Sequence, residues 1–311
     1  MDRNPDDSVE DIENGDPGRD YGPQEYLGYL LIKEYHDLYD SPISWSKYWK
    51  LCCIADTYLM DEMGVDVGFP RHWYKYGETA EFASIDRSYL QAPSARFWDG
   101  QEVLPDREIP ETDFDVTEQQ RDAVVEAVLW VLAEFGDQEV AFLKEHQYTE
   151  QAPNQFIQEY SELRAIFKSV DLDIQRLISE FYEDEEKNFI VEKLNIMIEA
   201  FPDAYAEVEN EYLLWDDTMR MMLDNEADAV ELKQFLDTFI ERLSEIVLRF
   251  EHRSNIPEWR LAEWVEEKEE KKQQLRTQIE QRRDQYLTGK SIDATFSAMA
   301  DVYDDTIKGD L

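Results

Sequence analysis

The side chains most able to do chemistry near neutral pH are histidine and cysteine, and this chain has four and two. A di-iron carboxylate bundle needs a Glu three residues before a His. The residues at that offset from His36, His72, His146 and His252 are Lys33, Phe69, Leu143 and Arg249, so that centre is excluded. Cys52 and Cys53 are adjacent. Neighbouring cysteines rarely reach disulfide geometry and enclose no loop, and these two form neither a CxxC pair nor part of a local four-ligand zinc set. They read as core packing in a reducing cytosol.

Phosphate-binding and hydrolytic motifs are absent. There is no GxGxxG, GxSxG or HExxH. Gly289-Lys290-Ser291 imitates the end of a phosphate loop, but position 284 is Asp and no strand precedes it, so it reads as a helix break. Carboxylates say little by their spacing. With 72 Asp and Glu in 311 residues, chance puts about 16 acidic pairs at any one helical spacing. Asp216-Asp217, Glu183 to Glu186 and Asp304-Asp305 are therefore solvated faces. No catalytic residue, metal ligand or cofactor is nominated.

The acidity itself is informative. Lys and Arg number 31, giving a net charge of -41, while 8 Trp, 17 Tyr and 15 Phe mark a chain that folds. A compact monomer of this mass exposes about 13,600 Å², which sets neighbouring carboxylates about 14 Å apart. Each such pair costs about 0.3 kcal/mol in water, and the sum rivals the stability of a domain. Molar salt shortens the Debye length to about 3 Å and removes most of this repulsion. The composition resembles that of proteins from extreme halophiles, and implies that high KCl is needed for stability.

Charge is uneven along the chain. Residues 41–100 hold six basic and eight acidic residues, a balance of -2, with -39 on the remainder. The same stretch carries twelve aromatics, from Trp45 to Trp98. Interface cores lose charge and gain Trp, Tyr and Arg, so this region is the candidate binding surface, with burial in a core as the alternative. Its sharpest part is Pro70 to Gly77, whose aromatics cannot all point inward from one strand. The candidate partner-binding residues are Arg71, His72, Trp73, Tyr74, Lys75, Tyr76, Arg96 and Trp98.

The elements that must position these residues are mostly helical. Residues 1–20 are acidic and lack large apolar side chains, so they read as a disordered tail. Pro23 opens a helix ending near Asp40, and Ser44 caps a second whose stripe runs through Tyr48, Leu51, Cys52, Ala55 and Leu59 towards Gly64. From Gly64 to Pro105 the texture turns to strands, the only sheet expected, with Asp99-Gly100 as the turn of a hairpin near 96–103. Thr117 and Gln120 form a capping box for a helix ending at Gly136. Pro153 opens another helix, and the chain from 173 reads as all-helical, with a clear stripe from Leu232 to Phe250 and a long charged helix over 257–287. The fold class is mainly α with a small β-hairpin or sheet: an α+β module over 21–172, then an all-α half over 173–311.

A helix opening with Tyr48-Trp49-Lys50-Leu51, its apolar continuation, and an aromatic-basic stretch ending Trp73-Tyr74-Lys75-Tyr76-Gly77 resemble the Panacea-type antitoxin domain. Members of that family include phage-associated proteins and proteolysis adaptors. The resemblance spans about 26–170, and departs from the family where Gly-Pro is replaced by Gly77-Glu78. It implies a mostly helical module that binds and neutralises a protein partner, such as a toxin, and has no catalytic role.

Four function classes follow. The first is an interaction protein, antitoxin-like or regulatory, binding a protein partner through 41–104. The second is a winged-helix DNA regulator using a helix at 44–63 and the 96–103 hairpin, which six basic residues dispersed among eight acids disfavour. The others are an enzyme whose site forms no motif, and a helical scaffold. The longest apolar run, 127–133, is too short to span a bilayer, and the N-terminus is acidic where a secretory signal is basic, so a cytoplasmic protein without a membrane segment is expected.

Overall fold

A computed structural model describes residues 21–91, 102–172 and 184–308. In chain order the elements are α1 (Pro23–Tyr39), β1 (Ile43–Ser44), α2 (Trp45–Asp61), β2 (Arg71–Tyr74), β3 (Gly77–Ala80), β4 (Leu90–Gln91), β5 (Glu102–Pro105), α3 (Glu118–Phe135), α4 (Val140–Glu150), α5 (Gln155–Leu172), α6 (Asp184–Glu199), α7 (Glu209–Asp224), α8 (Ala229–Leu243), α9 (Arg249–Glu251), β6 (Arg253–Ser254) and α10 (Glu258–Lys308). The protein is mainly α with a small β component. Its strands form two three-stranded antiparallel sheets, ordered β1-β5-β4 and β3-β2-β6. The second sheet draws β6 from the half that reads as all-helical.

The chain divides into two compact units, one built from residues up to Phe69 with Phe82–Gln138, the other from Pro70–Glu81 with 139 onward. The sequence places its boundary near 170 instead. In this division the second unit takes α4 and α5 as well as the β2–β3 hairpin.

In the first unit, capping fixes the helices. Ser44 Oγ accepts from the Lys47 amide, and Thr117 and Gln120 exchange hydrogen bonds at the start of α3. Leu27, Leu31, Leu51, Ile54, Val124 and Val128 fill the space between α1, α2 and α3. Neither cysteine forms a disulfide, and both are buried there. Gly28 of α1 allows a close approach: a Cβ at this position would lie 2.2 Å from the Tyr89 hydroxyl and 2.6 Å from that of Tyr48. These two hydroxyls are bonded to each other at 3.1 Å in the interior.

In the second unit, Trp73, Tyr160, Leu194, Trp215, Met219, Leu236 and Phe239 belong to one continuous apolar core. The Leu232–Phe250 stripe is not a single regular helix. It passes through a π-helical turn at Ser244–Leu248, where the Ser244 hydroxyl donates to the Ile240 carbonyl at 2.6 Å. Gly289-Lys290-Ser291 is not a break, because α10 runs through it to Lys308. One internal glycine costs a helix only about 1 kcal/mol.

Among the described residues no helix is long and apolar enough to cross a membrane. The acidic tail over 1–20 and the Asp99-Gly100 turn lie outside the described residues.

Candidate interaction surface

The Pro70–Gly77 run forms most of a two-strand hairpin, with Arg71 opposite Ala80 and Tyr74 opposite Gly77. Lys75 and Tyr76 stand at its tip. Gly77, at φ +86°, supplies the left-handed residue of the return, and a Cβ there would lie 2.5 Å from Gln147 Oε1 on α4. The other edge of β2 pairs with β6, and the Trp73 amide donates to the His252 carbonyl at 2.9 Å. At the base, Glu81 accepts from Arg260 Nε of α10 at 3.0 Å.

This strand has packed side chains on both faces, so neighbouring aromatics on opposite faces can both be interior. His72 is buried against Trp264, with ring centroids 4.9 Å apart. Trp73 is 1% exposed and meets Tyr148 edge-on at 5.6 Å. Neither ring is available to a partner in this arrangement. Arg71 pairs across the hairpin with Glu78. Tyr74 is half-buried, and burial followed by the nearby Glu241 charge pushes its hydroxyl above the usual tyrosine range. Arg96 and Trp98 lie outside the described residues.

Tyr76 differs from these. It is 39% exposed, and three cations lie over its ring, Lys144 Nζ at 4.4 Å, Lys75 Nζ at 5.0 Å and Arg164 Cζ at 5.8 Å from the centroid. The structure therefore brings together two of the residues nominated from sequence, Lys75 and Tyr76, with Lys144 from α4 and Arg164 from α5. Nothing in the linear sequence links these four, since the second lysine and the arginine come from helices 68 or more positions downstream.

Acidic residues of α8 hold cations in place. Lys75 Nζ sits 2.9 Å from Glu241 Oε2. Burial opposes its charge, but Glu241's hydrogen bond and charge prevail and keep the ammonium above its ordinary value. Arg164 Nε donates to Asp237 Oδ1 at 2.6 Å, and the Tyr160 hydroxyl donates to the same oxygen at 3.2 Å. Lys233 Nζ lies 3.8 Å from Asp237 Oδ2. The tip's backbone is fixed by Tyr148, whose hydroxyl donates to the Lys75 carbonyl. Lys75, Arg164 and Lys233 are thus gathered about Glu241 and Asp237, with Lys144 over the same Tyr76 ring as Lys75 and Arg164, on a chain of net charge -41.

Behind the hairpin lies a chain of hydrogen bonds. Asn154 Oδ1 accepts from the Ile157 amide at 3.1 Å, capping α5, which turns its Nδ2 towards the Tyr205 hydroxyl at 2.6 Å. That hydroxyl is hydrogen-bonded to His252 Nε2 at 2.6 Å, and is the donor in the tautomer that carries the imidazole proton on Nδ1. Burial holds His252 below the ordinary histidine value, against the charge of Glu251. Burial also raises the Tyr205 hydroxyl well above its usual range. Both groups are therefore neutral near pH 7.

Among the described residues no three His, Cys, Asp or Glu side chains are grouped to hold a metal ion. No family model, curated protein or solved structure matches the chain.

Proposed function

We propose that this chain is a non-catalytic interaction protein, antitoxin-like or regulatory, working in a salt-rich cytoplasm and binding a protein partner through the tip of the β2–β3 hairpin. The observation that carries this reading is Tyr76, a half-exposed ring at a rigid hairpin tip with three cations over it. Aromatic rings and arginine are the side chains that dominate binding energy at protein interfaces. The tip is preorganised by Gly77, by Tyr148 and by two acidic side chains of α8, which lowers the ordering cost of association. A DNA-reading role for the helix at 44–63 gains no support, because Trp45, Tyr48, Trp49, Leu51, Ile54 and Leu59 of α2 are all interior.

The test is purification of the tagged chain from its own cytosol in molar KCl. A stoichiometric second protein, identified by mass, is expected with the wild type and is lost with Tyr76→Ala at unchanged far-UV circular dichroism. A single species, or a partner that Tyr76→Ala retains, overturns the reading. Trp73→Ala is unsuitable for this test, since a cavity at a buried Trp costs about 3–5 kcal/mol and destabilises the unit that carries the tip.

A further inference from the structure

We infer that segment 82–87 of the first unit is a carboxylate-binding site, in which Arg87 receives the anion against the rings of Trp45 and Phe82 and Ser84 adds a hydroxyl donor. The site uses no residue of the β2–β3 hairpin, so it goes beyond the interaction reading above and stands or falls without it.

Three observations carry it. The first is an arginine without a carboxylate. Acids outnumber bases 72 to 31 in this chain, and partly buried arginines elsewhere have acidic partners, as Arg164 has Asp237, Arg249 has Glu267 and Arg260 has Glu81. Arg87 is half-buried, yet makes no hydrogen bond or ion pair among the described residues. Its guanidinium lies over the rings of Trp45 and Phe82, with Cζ 5.7 Å from each centroid. Burial pulls this cation below the ordinary arginine value, opposed by Tyr89 and Asp86. A guanidinium stacked in this way keeps its planar edges for an acceptor, and their fork matches a carboxylate.

The second is a pair of enclosed donors beside the same ring. The Ser84 hydroxyl, on the short 3-10 turn that carries Phe82, and the Trp49 indole Nε1 make no hydrogen bond among the described residues. Trp49 is 4% exposed, and its ring lies 6.1 Å from that of Phe82 and 5.3 Å from that of Trp45. An enclosed donor left unpaired costs about 1–3 kcal/mol, so these two and the Arg87 guanidinium, grouped around one phenylalanine, favour an anionic acceptor. The third is the charge of the surroundings. Residues 41–100, which include all five side chains, carry a balance of -2 against -39 on the remainder, so an anion meets far less repulsion here than elsewhere on the chain. One guanidinium balances one negative charge, which fits a carboxylate better than a phosphate dianion or a nucleic acid, whose binding draws on several cations.

The experiment is a proton–nitrogen correlation NMR titration of the full chain in molar KCl, following the Arg87 Nε–H and Trp49 indole N–H signals, the latter assigned through Trp49→Phe. Potassium acetate replaces KCl at constant ionic strength, and neutral acetamide is the control. Saturable shifts with acetate alone are expected. In Arg87→Gln the midpoint read at Trp49 should rise at least about tenfold, the effect of losing one charge-assisted hydrogen bond. Arg87→Lys keeps the charge but loses the fork and should also weaken binding, as should Ser84→Ala. Arg121→Gln, which removes a cation paired with Glu111 in the same unit, should leave it unchanged, and thermal denaturation checks that each variant is folded. A tripeptide with a free C-terminus and its C-terminal amide then distinguish the source. A free-acid peptide that binds more tightly than acetate assigns the end of a partner chain, and equal affinity assigns a small carboxylate; either outcome upholds the site.

Equal shifts with acetamide, no saturable shift with acetate, or insensitivity to Arg87→Gln in the folded variant overturns the inference. Saturation by potassium phosphate at far lower concentration assigns the segment to phosphate and also overturns it. The hairpin-tip reading is read separately, through the partner lost with Tyr76→Ala, so failure of one leaves the other standing.

Discussion

Tyr205→Phe removes one hydroxyl and, with it, both bonds in the centre of the Asn154–Tyr205–His252 chain. The ring stays, so the aromatic packing against Phe156 and Phe201 is kept and no cavity opens. What is lost is two hydrogen bonds of 2.6 Å each, leaving Asn154 Nδ2 and His252 Nε2 unpaired in partly buried positions. At about 0.5–1.5 kcal/mol per bond the expected loss is about 1–3 kcal/mol. The effect has a pH signature. His252 is held below its unfolded value, so the folded unit favours neutral imidazole. Its contribution is fully present above about pH 6.5 and declines as pH falls through that value towards the lowered folded one. Protonation converts Nε2 from acceptor to donor and opposes the Tyr205 hydroxyl, so the variant should lose less stability on acidification than the wild type. The assay is hydrogen exchange of the Trp73 amide, which donates to the His252 carbonyl, followed from pH 8 to pH 5 in molar KCl. Unchanged protection in Tyr205→Phe near neutrality, or an identical acid slope in both proteins, would refute the reasoning.

Three other outcomes are expected. Gly28→Ala forces a methyl to within 2.2 Å of the Tyr89 hydroxyl, and should cost about 1–3 kcal/mol by thermal denaturation, as overpacking does. Trp73→Ala should lower stability by about 3–5 kcal/mol, while Tyr76→Ala, at an exposed tip, should change it by under about 1 kcal/mol; comparable losses in chemical denaturation would contradict the assignment of one ring to the core and the other to the surface. Dialysis from molar KCl to low salt should unfold the chain as its carboxylates become unscreened, and a circular dichroism spectrum unchanged by dialysis would remove the case for salt adaptation.

What is legible in the sequence is local. Ser44, Thr117 with Gln120, and Pro23 act within one helical turn of themselves, and the structure uses each as its spacing indicates. The mainly helical class follows from stripes of similarly short range. The hairpin at 71–80 is different, because what completes it is β6, about 180 positions later, and no periodicity carries information over that separation. The aromatic richness of 70–77 reads as surface because a lone strand cannot bury alternate faces, yet Trp264 and Tyr148 cover opposite faces of this one. Lys144 and Arg164 are hidden from the sequence for the same reason. On a strongly acidic chain an isolated cation looks like a solvated partner to its neighbours, and only the fold shows that these two converge on Tyr76. Gly289 misleads in the opposite direction, since its local signal is real but too weak to end a helix.

The placement of residues 70–81 also has a consequence in time. Ribosomes add about 5–20 residues per second, so the hairpin, finished at Glu81, waits on the order of 10–40 s before His252 to Ser254 and Trp264 have been made. Through that interval β2 has β3 on one side and an open row of amides and carbonyls on the other, with Trp73 lacking its core. An exposed aromatic edge of this kind pairs readily with other chains. The newborn protein is therefore most vulnerable in its middle, well after its first helices can form, and a gene fragment ending before residue 252 would leave that edge permanently open. Nor can the two units be exchanged between proteins by a single crossover, because the C-terminal one keeps its central strand inside the coding sequence of the other.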